Sequence, residues 1–444
     1  MIALSLLPEG LSVGQYKIVP GHALDDLLSE GPGAMNAEVD SIAGLAEEHV
    51  DTCPEGKTCI IDFSPDGHGM KPLYDALARK AALGRPVRIA VLGDSYIQGD
   101  ILTAPLRSLL QQAWGGSGVG LVPMSNSGSN EFRRSVKHEF GRWEEHLANK
   151  RSGYDAARYG TLTASYFTTA SSTWTALTGV NKYARLDSCY SSTLIYYAPT
   201  ATATARVSVT PDGKTTLRHT LGGTPGFGAV SVDGLMGGVR WDIESSSNNM
   251  TFIGVSMDPT TDGIALDNFA MESLSGYHLG SIPESLLSDF DRVRHYDLVV
   301  VMFGQNIANV KATKASNYDG YIKQMSRVME LLKSSMPDTG FLLVSIGDRN
   351  VKRAGSWVTP DGIKLMVAAQ QTVAMESGVA FFNLYEAMGG EGSVASLVEA
   401  GMANKDYTHI NHRGGEKLAP LFADAMLWGY ECYGRHYTKK GGDR

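Results

Sequence analysis

Apolar positions along the chain follow two different periods, and the change between them divides it. Leu73 to Leu83 (LYDALARKAAL) spaces its apolar residues as one face of a helix, and VRIAVLGDS, from Val87 to Ser95, is a β-branched run that ends in turn residues. PLRSLLQQAW then returns to helical spacing, so this stretch predicts helix, strand, turn, helix: the opening of an α/β unit. Between about Ser125 and Asp262 the period shortens to two. LIYYAP, ATARVSVT, TLRHTL, GAVSVDG and TFIGVSMD are short runs separated by PDG, GGTPG and SSSNN, which predicts an all-β, sandwich-like segment. Afterwards strand-like YDLVVVMFGQN, FLLVSIGD and VAFFNLY alternate with helix-like YIKQMSRVMELLKSS and IKLMVAAQQTVAMES, the pattern of a mostly parallel sheet.

The expected organisation is therefore an N-terminal segment over 1–86, an α/β domain in two pieces over 87–124 and 263–435, an inserted β domain over 125–262, and a polar tail over 436–444. No internal repeat or low-complexity stretch interrupts it.

Composition narrows the function classes. The chain has 444 residues, 43% of them hydrophobic and 19% charged, which suits a globular protein with a large core. Lys and Arg number 39 against 47 Asp and Glu, a formal charge of −8, so nucleic acid and anionic membrane are poor partners. No apolar run reaches the ~18 residues of a membrane span. MIALSLLPEG is too short for a signal-peptide core, which leaves either a cytoplasmic protein or a periplasmic or extracellular one whose leader is absent from this chain. Cys53 and Cys59 are close enough in TCPEGKTC for a small disulfide loop, and equally readable as two thiols; Cys189 and Cys432 stand far apart.

Ligands of open parallel sheets bind beyond the carboxyl ends of the strands, so the polar residues that follow apolar runs carry the candidate chemistry. Gly93-Asp94-Ser95 offers a sharp turn, a hydroxyl at the expected start of a helix and a backbone N–H for an oxyanion, although Ser also serves as an ordinary helix cap. Asn306, after Gly304 and Gln305, carries an amide that donates without changing charge, and Asn is also common in turns. Asp406 lies three residues before His409, a spacing that lets a carboxylate hold an imidazole while the other ring nitrogen acts as base. Asp406, His409 and His412 have zinc-binding atoms, but no further Cys or His cluster accompanies them, so no metal and no cofactor are expected.

Together, in this order, these blocks resemble those of the SGNH (GDSL-type) hydrolases. The resemblance implies a three-layer α/β/α fold with Ser95 as nucleophile, His409 as general acid/base and Asp406 orienting it. It also implies an oxyanion hole formed by the Ser95 N–H, a glycine N–H and the Asn306 side chain, with Gly93 and Asp94 shaping the turn. For the glycine, Gly276 in MESLSGYH is preferred over Gly116, Gly118, Gly120 and Gly128, because a β insertion explains its distance from Ser95. The arrangement, together with GDSYIQGD and MGGEGS, is similar to bacterial carbohydrate and peptidoglycan O-acetylesterases with an inserted β-sandwich. It implies an acetylated carbohydrate as substrate; lipase or thioesterase action, or an inert carbohydrate-binding module, are the alternatives. Trp174, Tyr166, Tyr196, Tyr197 and Trp241 either stack on sugar rings or fill the core of the insertion.

Overall fold

The computed structural model describes Ser12–Val13, Tyr16–Lys17 and residues 52–440, apart from 66, 126–132, 151–152, 157–161, 163–164, 170 and 248. Its central sheet has six strands in the order Ile264–Ala270, Val87–Gly93, Leu298–Met302, Gly340–Val344, Ala380–Phe382 and Ile61–Asp62. All neighbours pair parallel except the last, which runs antiparallel. Successive side chains of a strand point to opposite faces, and here both faces are buried. Leu92, Val299, Val301 and Leu343 enter one core with the helices Glu284–Arg294, Asp319–Ser335 and Asp361–Ser377. Val91, Leu298, Val300 and Leu342 enter another with Lys71–Ala78, Thr103–Trp114 and His412–Lys440. Burial on both sides is why these strands read as continuous apolar runs.

Between Trp114 and Ile264 the chain builds two antiparallel sheets. One has the order Gly226–Met236, Cys189–Ala198, Thr251–Met257, Ser165–Thr168, Glu144–Leu147, with Gly120–Pro123 also paired to Thr251–Met257. The other runs Leu217–Gly222, Thr204–Pro211, Gly238–Ser246, Thr173–Gly179, Val136–Phe140. They share a core in which Leu194, Phe252 and Val255 meet Val207, Val209, Trp241 and Ile243. Trp241 is fully buried and donates from Nε1 to Ser192 Oγ at 3.0 Å; Tyr166 is buried as well, so both are core residues. The back of the first sheet, through Ile195, Phe227 and Ile253, packs on the α/β half. Thr251–Met257 is consequently buried at every position.

A buried ionic lattice fastens this junction. Arg294 bridges Asp258, at the end of the β unit, and Asp267, in the edge strand, with its Nε 2.8 Å from Asp267 Oδ2 and its Nη2 2.9 Å from Asp258 Oδ1. The Tyr296 hydroxyl donates to Asp267 at 2.6 Å, and the Leu121 N–H donates to the other carboxylate oxygen at 2.7 Å. Every charge in the lattice has an opposite partner, the condition under which buried ions are tolerated.

Four expected boundaries shift. Gly120–Pro123, assigned to the α/β domain, pairs within the β unit, because the glycines before it let the backbone cross the edge strand closely. The segment 1–86, expected to lead into the α/β domain, already contributes elements to it: Ile61–Asp62 completes the central sheet and Lys71–Ala78 packs beneath it. The last helix runs to Lys440, so residues 436–440 are helical rather than tail. Ser95 lies in a turn ahead of a short 3-10 segment, Gln98–Asp100, and the α-helix begins at Thr103. Cys53 and Cys59 are joined in a disulfide.

Candidate active site

Val87–Gly93 ends level with Ala270 on one side and Met302 on the other. The three chain segments that leave these strand ends therefore meet. A Cβ at Gly93 would lie 3.0 Å from Ile97 Cδ1 and from the Met302 carbonyl oxygen, so the turn closes only with glycine there. Asp94 points inward and is 1% exposed, accepting from the Tyr96 N–H at 3.1 Å. Ser95 faces out. The turn continues through Gly99 and Asp100, both at positive φ, before the helix starts.

His409 reaches Ser95 from the far end of the sequence. Its Nε2 is 2.9 Å from Ser95 Oγ, and its Nδ1 is 2.8 Å from Asp406 Oδ2. Asp406 Oδ1 accepts from the backbone N–H groups of Thr408 and His409, each at 3.0 Å. Burial works against the Asp406 charge, but these N–H groups and the imidazole outweigh it and hold its carboxyl below the usual range. Tyr407, between the two residues, adopts φ +54° and stacks on Trp357 with ring centroids 3.5 Å apart. Its carbonyl accepts from the Asn350 N–H at 3.0 Å, which pins the loop to the strand-end region.

Asn306 stands on the turn after Leu298–Met302. Its Nδ2 donates to the Leu274 carbonyl at 3.0 Å and lies 3.5 Å from Asp94 Oδ2. Gly276 has φ +90° and precedes a 3-10 turn, Tyr277–Ser281, and a Cβ there would press on the Phe303 ring at 3.1 Å. Gly116, Gly118 and Gly120 lie elsewhere. Gly116 and Gly120 abut Ile264 and Leu266 on the edge strand, Gly118 abuts Met257, and Gly128 falls outside the described residues. Burial raises the Asp94 pKa to about 6, against the pull of the Tyr96 and Gly304 N–H groups and the nearby His409.

Ser95, Asn306 and His409 open onto a cleft of about 790 Å³ whose walls also include Gln98, Arg133, Arg134, Glu272, Ser273, Asn404, Asn411 and His412. Gln98 lies in the GDSYIQGD block and His412 three residues after His409; the other wall residues belong to no motif, and nothing in their spacing marks them. Most of the lining residues are polar, with Ile101 and Ile410 as aliphatic members, and the exposed wall mixes polar and apolar surface. Among the described residues no group of three or more His, Cys, Asp or Glu is arranged to hold a metal ion. His412 instead begins the last helix, while Asp406 and His409 are engaged with each other and with Ser95. The arrangement places a hydroxyl against one imidazole nitrogen and a carboxylate against the other, the geometry that acyl transfer requires.

No protein-family model and no curated protein matches the chain. Among solved structures, a peptidoglycan O-acetylesterase superposes over 84% of this chain and 99% of its own, with a TM-score of 0.67 and 19% identity. An acetyl xylan esterase covers 37% of this chain and 82% of its own at TM-score 0.29 and 18% identity. A family two carbohydrate esterase from Cellvibrio japonicus covers 66% and 99% at TM-score 0.25 and 10% identity. The first shows a shared fold, in agreement with the SGNH resemblance of the sequence blocks; the other two are too loose to bear on it.

Proposed function

We propose that this chain is a serine esterase of the SGNH type that removes O-acetyl groups from a carbohydrate polymer. The observation that carries the reading is the continuous relay Ser95 Oγ, His409 Nε2, His409 Nδ1, Asp406 Oδ2, with links of 2.9 and 2.8 Å. His409 takes the Ser95 proton as Oγ adds to the acetyl carbonyl. The oxyanion that forms meets the N–H groups of Ser95 and Gly276 and one hydrogen of the Asn306 amide. The other hydrogen of that amide is held by Leu274, which fixes the direction of the group. Collapse breaks the bond to the sugar oxygen, which leaves with the proton from His409. Water, deprotonated by the same imidazole, then attacks the acetyl-serine and releases acetate. No cofactor enters these steps.

A cleft with many hydrogen-bonding side chains and only Ile101 and Ile410 as aliphatic residues suits a hydroxyl-rich leaving group better than a long acyl chain. The two-sheet unit, which we take to be a domain inserted into the hydrolase, contributes Arg133 and Arg134 to that cleft. A polymeric glycan and a Cys53–Cys59 disulfide both suit an extracytoplasmic location.

The test is acetate release from acetylated peptidoglycan, xylan and pectin, alongside 4-nitrophenyl acetate, by the wild-type chain with Ser95→Ala as blank. Serine-dependent release from at least one polymer is expected. Turnover of the small ester with no polymer deacetylated would leave a serine esterase of another substrate class, and no turnover of anything would refute the reading.

A further inference from the structure

Two adjacent arginines distinguish the catalytic cleft from a generic ester site. Arg133 and Arg134 stand just ahead of the strand Val136–Phe140 of the β unit, yet line the same cavity as Ser95, Asn306 and His409. Arg133 is half-buried as a residue, its Nε and Nη1 are hidden from solvent, and its charge acts on Asp100 behind the Ser95 turn. Arg134 is exposed. Among the described residues lining the cleft, Glu272 is the one carboxylate, and it accepts from Gln98 Nε2 at 3.1 Å. On the neighbouring rim Glu416 accepts from the Tyr183 hydroxyl at 3.0 Å and pairs with Lys182 at 3.3 Å. The local carboxylates thus have partners, and the cleft presents cationic groups in a protein whose formal charge is −8.

We propose that Arg134, with Arg133 beside it, receives a carboxylate of the substrate, so that the preferred substrate is an acetylated glycan bearing a carboxylate next to the ester-carrying sugar. The inference rests on the esterase reading and adds the charge of its substrate. A guanidinium offers a planar fork of donors that matches a carboxylate, and such charge-assisted pairs set position as well as affinity. Positioning matters here because the ester must arrive at Ser95 Oγ with its carbonyl toward Asn306. With a net negative chain and a screening length of ~8 Å at physiological salt, recognition of a polyanion has to be local, and this pair lines the same cavity as Ser95 and His409.

The experiment compares kcat/KM on an acetylated acidic glycan with that on the same glycan after its carboxyl groups are reduced to alcohols. One arm uses a hexuronan and the other a glycan carrying a lactyl ether on an amino sugar, and 4-nitrophenyl acetate sets the common scale. The wild type is expected to prefer the acidic form in one arm by roughly ten- to a hundredfold, the value of a charged hydrogen-bonded contact. Arg134→Ala should cut that preference at least tenfold, mainly through KM, Arg134→Glu should cut it further, and Arg134→Lys should restore part. Raising salt should shrink the wild-type preference. Equal rates on acidic and reduced glycans in both arms, or a full preference in Arg134→Ala, would overturn the inference while leaving the esterase intact. Failure to release acetate from any of these substrates would overturn the esterase reading itself, and this inference with it.

Discussion

Asp94 and Asp100 sit at the two ends of the turn that carries Ser95, and each is 1% exposed, yet their carboxyl pKa values are driven in opposite directions. Around Asp94 the donors are amides: the Tyr96 N–H at 3.1 Å and the Asn306 side chain at 3.5 Å. Burial wins there and lifts the carboxyl to about 6. Around Asp100 stand full charges. Arg107 reaches it through Nη1 at 2.8 Å and Nη2 at 3.1 Å, Asn268 Nδ2 donates at 3.2 Å, and the Thr103 and Ser135 hydroxyls complete the shell. Burial again opposes the charge, but Arg107 and Arg133 outweigh it and drive the carboxyl far below the usual range. Equal burial therefore says little about a carboxylate until its partners are counted. Under the proposed esterase reading, one end of the turn borders the reacting groups, and the other anchors it.

The largest effect should separate those ends. Ser95→Ala or His409→Ala should lower kcat on 4-nitrophenyl acetate by roughly 10⁴–10⁶ while the unfolding midpoint stays at the wild-type value. Near wild-type turnover in a folded Ser95→Ala protein would remove the assigned nucleophile. At the anchor, Asp100→Ala leaves the fully buried Arg107 without its counter-ion and should cost about 3–5 kcal/mol in urea unfolding. A loss below 1 kcal/mol there would mean that the ion pair is not an anchor.

Asn306→Ala comes next and sharpens the Asp94 side. Removing one oxyanion donor typically lowers kcat by ~10²–10³, and here KM should change little. A change confined to KM would make Asn306 a binding group.

The smallest effect is a pH signature. A folded-state pKa of about 6 for Asp94 exceeds its unfolded value, so the folded protein binds the proton more tightly. That contribution to stability is complete below the unfolded pKa and is lost as pH rises through 6. Relative to Asp94→Asn, the wild type should lose about 2–3 kcal/mol between pH 4 and pH 7. Asp100 has the reverse sign: its contribution is present above the unfolded pKa and fades as pH falls. Denaturant midpoints of wild type and Asp94→Asn that run parallel across this range would contradict the assignment for Asp94.

How much of this was legible in the sequence depended on whether a feature left a period or a fixed spacing. Val87–Gly93 and Leu298–Met302 are buried on both faces, so they stand out as apolar runs, and the polar residues after them follow directly. Gly238–Ser246 alternates because its sheet is covered on one side. The helix starts at Thr103 rather than at Ser95, since Gly99 and Asp100 at positive φ delay it and neither leaves a periodic mark. Gly120–Pro123 pairs within the β unit although its sequence position points to the α/β half, because its partner strand lies more than a hundred residues away in sequence. Arg133 and Arg134 carried no signal at all: a charge pair next to a strand looks like solvated surface until the chain is folded.

The terminal strand of the central sheet has a consequence for how copies of this protein behave toward one another. Ile61–Asp62 is two residues long, runs against its neighbour and is followed at once by a turn in which Asp62 accepts from the N–H groups of Ser64 and Met70. The opposite border is crossed by the Gly115–Leu121 stretch, which trades hydrogen bonds with Ile264 and Asp267. A parallel sheet with open borders is a template for intermolecular pairing, and both borders here are blunted. A chain that begins after Asp62 should keep its hydrolytic centre yet lose colloidal stability through the uncovered Ala380–Phe382 strand, visible as concentration-dependent species in sedimentation velocity.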